Sequence, residues 1–346
     1  MSKMLEEIRE QPDALERTFR EELGPIRELK TRLARQRPRM IMLAARGTSD
    51  NAAQFARYLL EIQTGIPVSL AAPSIFTLYE ASVNLEGVLV IALSQSGEST
   101  DTNRVLEQAR ARGSITIGIT NESASTLARL AEHVFLVRAR TERSVAATKT
   151  YTGQLLMVYL LAYALGAAID LDDVARIPGW AAQALTLEDE IRGRSERYRF
   201  MERALVVGRG LNYSNAFEFA LKLMETCYVV AERFSAADLL HGPIAMIEAS
   251  FPAFLFAPAG VTWPGMREMI QKLEGLHAET LVITDEGNSG ALAMRGRAIK
   301  VPCALTEMYT PIPYIIPAQL FAASLAAEKG LNPDQPRTLK KVTQTL

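Results

Sequence analysis

The sequence is poor in the groups that build metal centres and disulfide frameworks. Its 346 residues include two cysteines, Cys227 and Cys303, and neither belongs to a CxxC pair or to a Cys/His cluster. We therefore expect no zinc site and no disulfide framework. The absence of a disulfide pattern favours a reducing compartment, and we expect a cytoplasmic protein.

Long apolar runs and an excess of one charge are also missing. The best candidate for a membrane span, residues 151–166, is too short to cross a bilayer and is better interpreted as a buried helix. The N-terminal segment is charged and helical in pattern, unlike a signal peptide. The formal net charge is −1. This balance gives no electrostatic reason to expect nucleic acid or a membrane as a partner.

The chain repeats itself at a constant offset. One apolar strand runs into Arg46-Gly47 and another into Arg209-Gly210, an offset of 163 residues. Further elements recur in the same order at that offset, to within about one residue. The matched pairs are 89–93 with 253–256, 115–120 with 279–284, 134–137 with 298–301, and the helix 151–166 with the helix that ends at Gly330. The pattern predicts an internal duplication.

Each copy alternates short apolar runs with amphipathic stretches. The apolar runs suit parallel strands buried on both faces, and the stretches between them suit helices. The alternation predicts an α/β protein with two tandem doubly wound sheets, Rossmann-like or flavodoxin-like, in three αβα layers. The predicted segments are a helical leader 1–28, a first domain 29–175, a second domain 195–330 and a tail 331–346 that closes the site.

The helix after the first strand illustrates the helical pattern. It is predicted over residues 51–63, with Ser49 or Asp50 as its N-cap. The apolar face is predicted to consist of Ala52, Phe55, Tyr58, Leu59 and Ile62.

The loop after strand 89–93 is rich in hydroxyl and amide side chains. It reads SQSGESTDT over residues 94–102 and leads directly into a helix. In a doubly wound sheet the ligand lies at the carboxyl ends of the strands. Hydroxyl groups, a glycine and a helix N-terminus can hold a phosphate there. The loop contains no lysine, so it is not a nucleotide P-loop. An ordinary serine-rich turn with a helix cap is the alternative interpretation.

The second copy lacks this loop and carries different side chains. The matching position reads APAGVT over residues 257–262. The helix predicted over residues 215–229 bears Lys222 and Glu225 among apolar residues, which makes Glu225 a candidate general base. A solvent-exposed Lys222–Glu225 pair at i,i+3 spacing is the alternative.

Two further groups are candidates for chemistry. His241 is one of three histidines and lies in a loop that ends in Gly-Pro, where a catalytic and a structural imidazole are both reasonable. The tail ends in a lysine-containing segment. A tail lysine is normally solvated, but it could form a Schiff base or polarise a sugar oxygen if the tail folds over a site.

These residues together resemble the sugar isomerase (SIS) domain family, above all the isomerase half of glucosamine-6-phosphate synthase and its stand-alone relatives. The resemblance covers nearly the whole chain. The motifs that carry it are GTS at 47–49, SQSGEST at 94–100, SVAATK at 144–149, ALKLME at 220–225, LLHGP at 239–243 and DQPR with a following lysine at 334–341.

The resemblance implies a role for each of these motifs. The residues implied for substrate and phosphate binding are Gly47, Thr48, Ser49, Ser94, Gln95, Ser96, Ser99, Thr102, Val145 and Ala147. Ala147 stands where the synthase has a serine, so one ligand contact is lost or is made by the backbone. Glu225 is implied to move a proton between C1 and C2 with help from Lys222. His241 is implied to open the sugar ring from the other subunit of a homodimer. Lys341 matches the tail lysine that reacts with the open-chain sugar.

The resemblance also implies the direction of the reaction. The synthase begins with a glutaminase domain whose N-terminal cysteine cleaves glutamine, whereas residue 2 here is serine and fewer than 40 residues precede the first sugar domain. We therefore expect a glucosamine-6-phosphate deaminase that forms fructose 6-phosphate and ammonia without a metal or another cofactor. The alternatives are a fructosamine-6-phosphate deglycase, another ketohexosamine-phosphate isomerase, and a non-catalytic sugar-phosphate sensor.

Overall fold

A computed structural model describes residues 2–293 and 298–341, which contain ten strands and fourteen α-helices. The strands are β1 (Met40–Ala44), β2 (Val68–Leu70), β3 (Val88–Leu93), β4 (Ile115–Thr120), β5 (His133–Leu136), β6 (Arg203–Gly208), β7 (Val230–Ser235), β8 (Pro252–Phe256), β9 (Glu279–Asp285) and β10 (Ala298–Val301). The helices are α1 (Lys3–Arg9), α2 (Gln11–Arg35), α3 (Thr48–Thr64), α4 (Ser74–Thr77), α5 (Thr100–Ala111), α6 (Thr126–Leu130), α7 (Lys149–Ala164), α8 (Leu171–Leu185), α9 (Glu188–Ser195), α10 (Tyr213–Cys227), α11 (Ala236–Leu240), α12 (Trp263–Gly275), α13 (Ser289–Leu292) and α14 (Pro311–Glu328). Short 3₁₀ turns lie at Glu196–Tyr198, Gly210–Asn212, Pro243–Met246 and Glu307–Tyr309.

The chain divides into two compact units whose segments alternate along the sequence. The first unit comprises residues 13–142, 149–176 and 339–341, and the second comprises the described parts of 2–12, 143–148 and 177–338. The domain boundaries proposed from the sequence run in chain order. The contacts instead assign residues 143–148 to the second unit and the end of the tail to the first.

The first unit is built on a five-stranded parallel sheet in the order β2-β1-β3-β4-β5. Every residue of the central strands β3 and β4 is buried. Strands covered on both faces consist mainly of apolar residues, which is why their positions could be predicted from the sequence. The edge strand β2 has only three residues, too few for the pattern to reveal.

The second unit repeats this topology, with the order β10-β9-β8-β6-β7. The strands β6 to β10 take the places of β1 to β5 in turn, and all pairings are parallel. The predicted duplication and the tandem αβα fold are therefore confirmed. The edge strand β7 was not predicted, because the exposed charged residues Glu232 and Arg233 interrupt the apolar residues of its sequence VAERFS.

Two details predicted for α3, the helix that follows β1, are wrong. The N-cap of α3 is Gly47, not Ser49 or Asp50. Gly47 has a φ of 57°, which glycine adopts without strain, and its carbonyl accepts from the amides of Asp50 and Asn51. The backbone therefore begins the helix without a side-chain cap. Ile62 is exposed rather than buried, because the last turn of α3 is open to solvent on that side.

The helix α7 is the apolar segment that the sequence offered as a membrane-span candidate. It has 16 residues, and nearly all of them are buried within the protein. Across residues 2–293 and 298–341, no helix is both long and apolar enough to cross a membrane. The interpretation of this segment as a buried core helix is confirmed.

An aromatic cluster packs against one face of the second sheet. Phe254 of β8 lies 5.0 Å from Phe321 of α14 and 5.1 Å from Phe219 of α10, measured between ring centroids in edge-on contacts. Tyr198 completes the cluster at 5.5 Å from Phe254, and burial raises the pKa of its hydroxyl to about 12. The cluster joins the two helices to the sheet that carries them.

We predict that Phe254→Ala lowers the free energy of unfolding by about 3–5 kcal/mol, because the ring is 1% exposed and its removal leaves a cavity. The matched control is Phe200→Ala, since that ring is 80% exposed and should change stability by no more than about 0.5 kcal/mol. Denaturant unfolding of the two variants measures the difference. Equal losses would contradict the assignment of Phe254 to the core.

Candidate active site

The hydroxyl-rich loop joins β3 to α5 at the carboxyl edge of the first sheet. Ser94 is the first residue after β3, and Ser99 is the N-cap of α5, where its hydroxyl accepts from the amide of Thr102. Ser94 is buried, whereas Gln95, Ser96 and Ser99 are half-buried. The parallel sheet therefore presents this loop at the edge where ligands bind in doubly wound folds.

The serine side chains of the loop stabilise its backbone. The hydroxyl of Ser94 accepts from the amide of Gly97 at 3.1 Å, and that of Ser96 accepts from the amide of Glu98 at 3.3 Å. The Ser99 hydroxyl also accepts from that of Thr102 at 3.0 Å. A hydroxyl that accepts a bond still has a proton to donate. The loop thus combines serine donors with the positive end of the α5 dipole, which suits an anion. It is a capped turn whose hydrogen-bond donors suit an anion.

Gly97 is required by the close packing behind the loop. Its φ is 66°, and a Cβ at this position would lie 2.2 Å from the Ser125 hydroxyl oxygen. Its carbonyl accepts from the amide of Leu127 and from the side-chain amide of Asn103, each at 3.0 Å. Glycine is therefore the residue that allows this loop to lie against the start of α6.

The turn after β1 lies at the same edge of the first sheet. Thr48 begins α3, and Ser49 is buried, with its hydroxyl accepting from the Gln154 side chain at 2.9 Å. The preceding residue, Arg46, donates from Nε and Nη2 to one oxygen of Asp101 in the first turn of α5, at 2.9 and 2.7 Å. Its half-exposed guanidinium is a cation beside the start of α5, and no motif of the sequence marked it as a site residue.

The helix α10 of the second unit carries a buried cluster of three charges. The ammonium of Lys222 lies 2.6 Å from Glu225 Oε2 and 3.5 Å from Glu218 Oε1. The side chain of Lys222 is 1% exposed, that of Glu218 is fully buried, and that of Glu225 is 23% exposed. The alternative of a solvent-exposed Lys222–Glu225 pair is therefore wrong. Sequence reasoning missed Glu218, although the i,i+4 spacing to Lys222 was a usable signal.

The two carboxylates around the ammonium differ in their access to solvent. Glu218 is sealed in the core, whereas Glu225 retains an open edge. Glu225 is thus the member of the cluster that can exchange a proton with a ligand. Lys222 lies within hydrogen-bond distance and can stabilise a charge that develops beside it.

His241 lies at an exposed end of the second unit. It is the C-cap of α11, and its amide donates to the carbonyl of Asp238 at 3.1 Å. The side chain is exposed, as are the neighbouring apolar residues Leu240 and Met246. His241 is therefore not a core residue, and Leu240 and Met246, which lie near it in the sequence, are exposed apolar residues.

The loop of the second unit that corresponds to the serine-rich loop already holds a carboxylate. It joins β8 to α12, and its Thr262 donates to the two oxygens of Glu307, from the amide at 3.2 Å and from the hydroxyl at 2.7 Å. A Cβ on Gly260 would lie 2.3 Å from Glu307 Oε2. An acidic side chain of the chain itself thus uses the donors that a phosphate would need. The motif gave no signal of this, because Glu307 is 45 residues away from Thr262 in the sequence.

The segment 143–148 and the end of the tail lie in different units. Val145 and Ala147 are half-buried in the second unit, where the amide of Val145 donates to the carbonyl of Asp334 at 3.5 Å. In the first unit, Lys341 donates from Nζ to Glu142 Oε2 at 3.1 Å. Sequence reasoning missed Glu142, since it precedes the SVAATK motif and nothing in the pattern linked it to the tail.

Comparison with known proteins matches this chain twice to one family. Residues 33–164 and 199–329 each match the family model described as the SIS domain. The glutamine–fructose-6-phosphate aminotransferase (isomerizing) of Methanothermobacter thermautotrophicus is 34% identical over 344 residues, which cover 98% of this chain and 56% of that protein. The chain thus spans a little over half the length of this relative.

Solved structures with the same fold cover nearly the whole length of the chain. The C-terminal domain of glucosamine-fructose-6-phosphate aminotransferase from Francisella tularensis aligns with a TM-score of 0.86 and 27% identity, over 97% of this chain and 98% of that one. Glucosamine-6-phosphate deaminase from Thermotoga maritima aligns with a TM-score of 0.81 over 99% and 100% of the chains. Its identity is 20%, so that likeness shows the fold alone.

We predict that the chain binds one phosphate, in the first unit, and that Ser96→Ala weakens this binding roughly 10- to 100-fold, since a hydrogen bond to a charged group contributes about 1.5–3 kcal/mol. Thr262→Ala is the matched control. It removes a hydroxyl from the corresponding loop of the second unit, where Glu307 already occupies the donors. Calorimetric titration with inorganic phosphate measures affinity and stoichiometry. A loss of binding in the Thr262 variant alone would reverse the assignment.

Proposed function

Because this chain belongs to the SIS domain family and carries the domain twice, we propose that it is an aldose–ketose isomerase of aminosugar phosphates and acts as a glucosamine-6-phosphate deaminase. The observation that carries the proposal is the buried Glu218–Lys222–Glu225 cluster, in which one carboxylate remains open to a ligand. A protein that only sensed sugar phosphate would need the serine-rich loop but not this cluster.

The proposed reaction transfers one proton and releases one ammonia. In the open-chain sugar, Glu225 takes the proton from C2, and the C1 aldehyde and C2 amine become an enolamine. Return of a proton to C1 gives a C1 alcohol and an imine at C2. Water adds to the imine carbon, and ammonia leaves as fructose 6-phosphate forms. Lys222 stabilises the charge that develops while the proton is in transit.

The direction of the reaction is part of the proposal. Release of ammonia from an imine at C2 requires only water, so it needs no further catalytic group beyond those of the isomerisation. Cys227 and Cys303 are both buried, and burial raises the pKa of the first to about 11 and of the second to about 12, so neither thiol of the described residues is a candidate nucleophile.

We predict that incubation with glucosamine 6-phosphate releases ammonia and fructose 6-phosphate in equal amounts. Glu225→Gln should lower kcat by about 10²- to 10⁴-fold while the affinity for the sugar phosphate is kept, because the amide cannot take the C2 proton. Coupled enzymatic assays of both products measure kcat and KM.

The matched control for this experiment is Glu232→Gln, which removes an exposed carboxylate of β7 and should leave both constants unchanged. Full activity of the Glu225 variant would exclude Glu225 as the base. Tight phosphosugar binding without any product would favour a sensor. Release of the amine from a fructosamine 6-phosphate, with no reaction of glucosamine 6-phosphate, would favour the deglycase.

We further propose that His241 opens the sugar ring in the site of a second copy of this chain. An exposed imidazole bordered by the exposed apolar residues Leu240 and Met246 supports a contact with another subunit. Val230, at the start of β7, is an additional exposed apolar residue of this unit. A twofold homodimer would supply one such histidine to each site.

We predict that two inactive variants, His241→Asn and Glu225→Gln, regain about a quarter of the wild-type activity when they are unfolded and refolded together in equal amounts. Half of the random dimers are mixed, and each mixed dimer has one site with both native residues. The control is each variant refolded alone at the same total concentration. If the mixture stays inactive although mixed dimers form, His241 acts within its own chain.

A further inference from the structure

Glu142 is a buried carboxylate at the start of α7 in the first unit. Its Oε1 accepts from the amide of Thr150 at 3.2 Å, and its Oε2 accepts from the Thr150 hydroxyl at 2.7 Å. Thr150 is the second residue of α7, so the carboxylate lies at the helix N-terminus, where the amides are unpaired and the dipole favours negative charge. These contacts with Thr150 fix the orientation of the carboxylate independently of the tail.

The tail lysine completes the surroundings of this carboxylate. Lys341 Nζ lies 3.1 Å from Glu142 Oε2, with the lysine side chain 26% exposed and the glutamate side chain fully buried. A buried carboxylate costs free energy unless it is paired, so Glu142 attracts the ammonium group of Lys341. The neighbouring Lys340 is exposed. Glu142 therefore distinguishes between two adjacent lysines.

The tail is also fastened before it reaches Lys341. Within the second unit, the Asp334 carboxylate accepts from the amides of Lys3 and Met4, each at 2.8 Å, at the start of α1. The amide of Arg337 donates to the Tyr228 hydroxyl at 2.9 Å, and its guanidinium lies 4.0 Å from the centre of the Tyr228 ring. The segment 334–337 is thus held along its length. Lys341 lies four residues beyond Arg337.

We propose that Glu142 is the positioning residue for Lys341: the carboxylate, oriented by Thr150 at the N-terminus of α7, selects Lys341 from the tail and holds its amine in a single place. This inference rests on the proposed function, in which Lys341 meets the open-chain sugar. Glu142 acts through the lysine and does not itself touch the sugar. A flexible tail lysine becomes a fixed group in this way, which raises its effective concentration at the reacting carbon.

The first test measures position without turnover. Reductive methylation with formaldehyde and cyanoborohydride, followed by mass spectrometry, compares the labelling rates of Lys341 and Lys340. In the wild type we expect Lys341 to react several-fold more slowly than Lys340. In Glu142→Gln we expect the two rates to become equal. A folded Glu142 variant that keeps the wild-type ratio would overturn the proposal.

The matched control is Glu22→Gln. Glu22 is another buried carboxylate of the first unit, and its Oε1 accepts from Arg138 Nε at 2.6 Å. This variant removes a comparable buried ion pair and should leave the labelling ratio unchanged. If Glu142→Gln does not fold, the labelling test is made with Thr150→Val, because this substitution removes the hydroxyl that orients the carboxylate. A shift of the ratio toward equal rates supports the proposal, and an unchanged ratio overturns it.

The second test asks whether Glu142 acts through Lys341. We expect Glu142→Gln to lower kcat by about 10²-fold with little change in KM. In the Lys341→Ala background the same substitution should cost nothing further, since the group that it positions is gone. Additive losses would show a role for Glu142 apart from the lysine. A wild-type protein that releases no ammonia would refute the proposed function, but the labelling ratio would still decide the position of Lys341.

Discussion

The strands of both sheets run parallel, and the central ones are buried on both faces. No residue of β3 or β4 is exposed, so the side chains of these strands are closed to solvent. Polar side chains that can meet a ligand therefore come from the loops at the strand ends and from helices such as α10. The serine-rich loop follows β3, the Gly47 turn follows β1, and the Thr262 loop follows β8. The topology of each parallel sheet thus sets the positions of the loops that follow its strands.

A second constraint is the cost of burying charge. The Lys222 ammonium is removed from water inside α10, which is tolerable only because carboxylates lie at i−4 and i+3 on the same face of the helix. Glu142 is removed from water at the start of α7, and it too is fully hydrogen-bonded. Each buried charge needs a partner at a defined position. The side chains of a buried pair are therefore held in place, whereas those of a surface ion pair stay mobile. Rigid placement of acid–base groups follows from this need.

The two copies of the domain keep one topology and use it differently. The loops after β3 and after β8 are equivalent in the sheet order, and each leads into a helix. The first offers serine hydroxyls, whereas the second gives its donors to Glu307. The second unit in turn carries the charged cluster on α10. Duplication supplied two scaffolds, and divergence left them with different chemistry.

The sequence by itself determined the duplication, the parallel sheets and most central strands, because buried strands and helices leave a periodic apolar pattern. It also indicated the serine-rich loop and the helix with Lys222 and Glu225, since these motifs are contiguous. The edge strands β2 and β7 were not predicted from the sequence, because β2 is short and β7 is partly polar. Only the tertiary structure decided that Lys222 is buried beside Glu218, that Glu307 reaches Thr262, and that Glu142 holds Lys341. The last two contacts join residues 45 and 199 positions apart, and the burial of a charge is set by what packs over it. No local pattern records either.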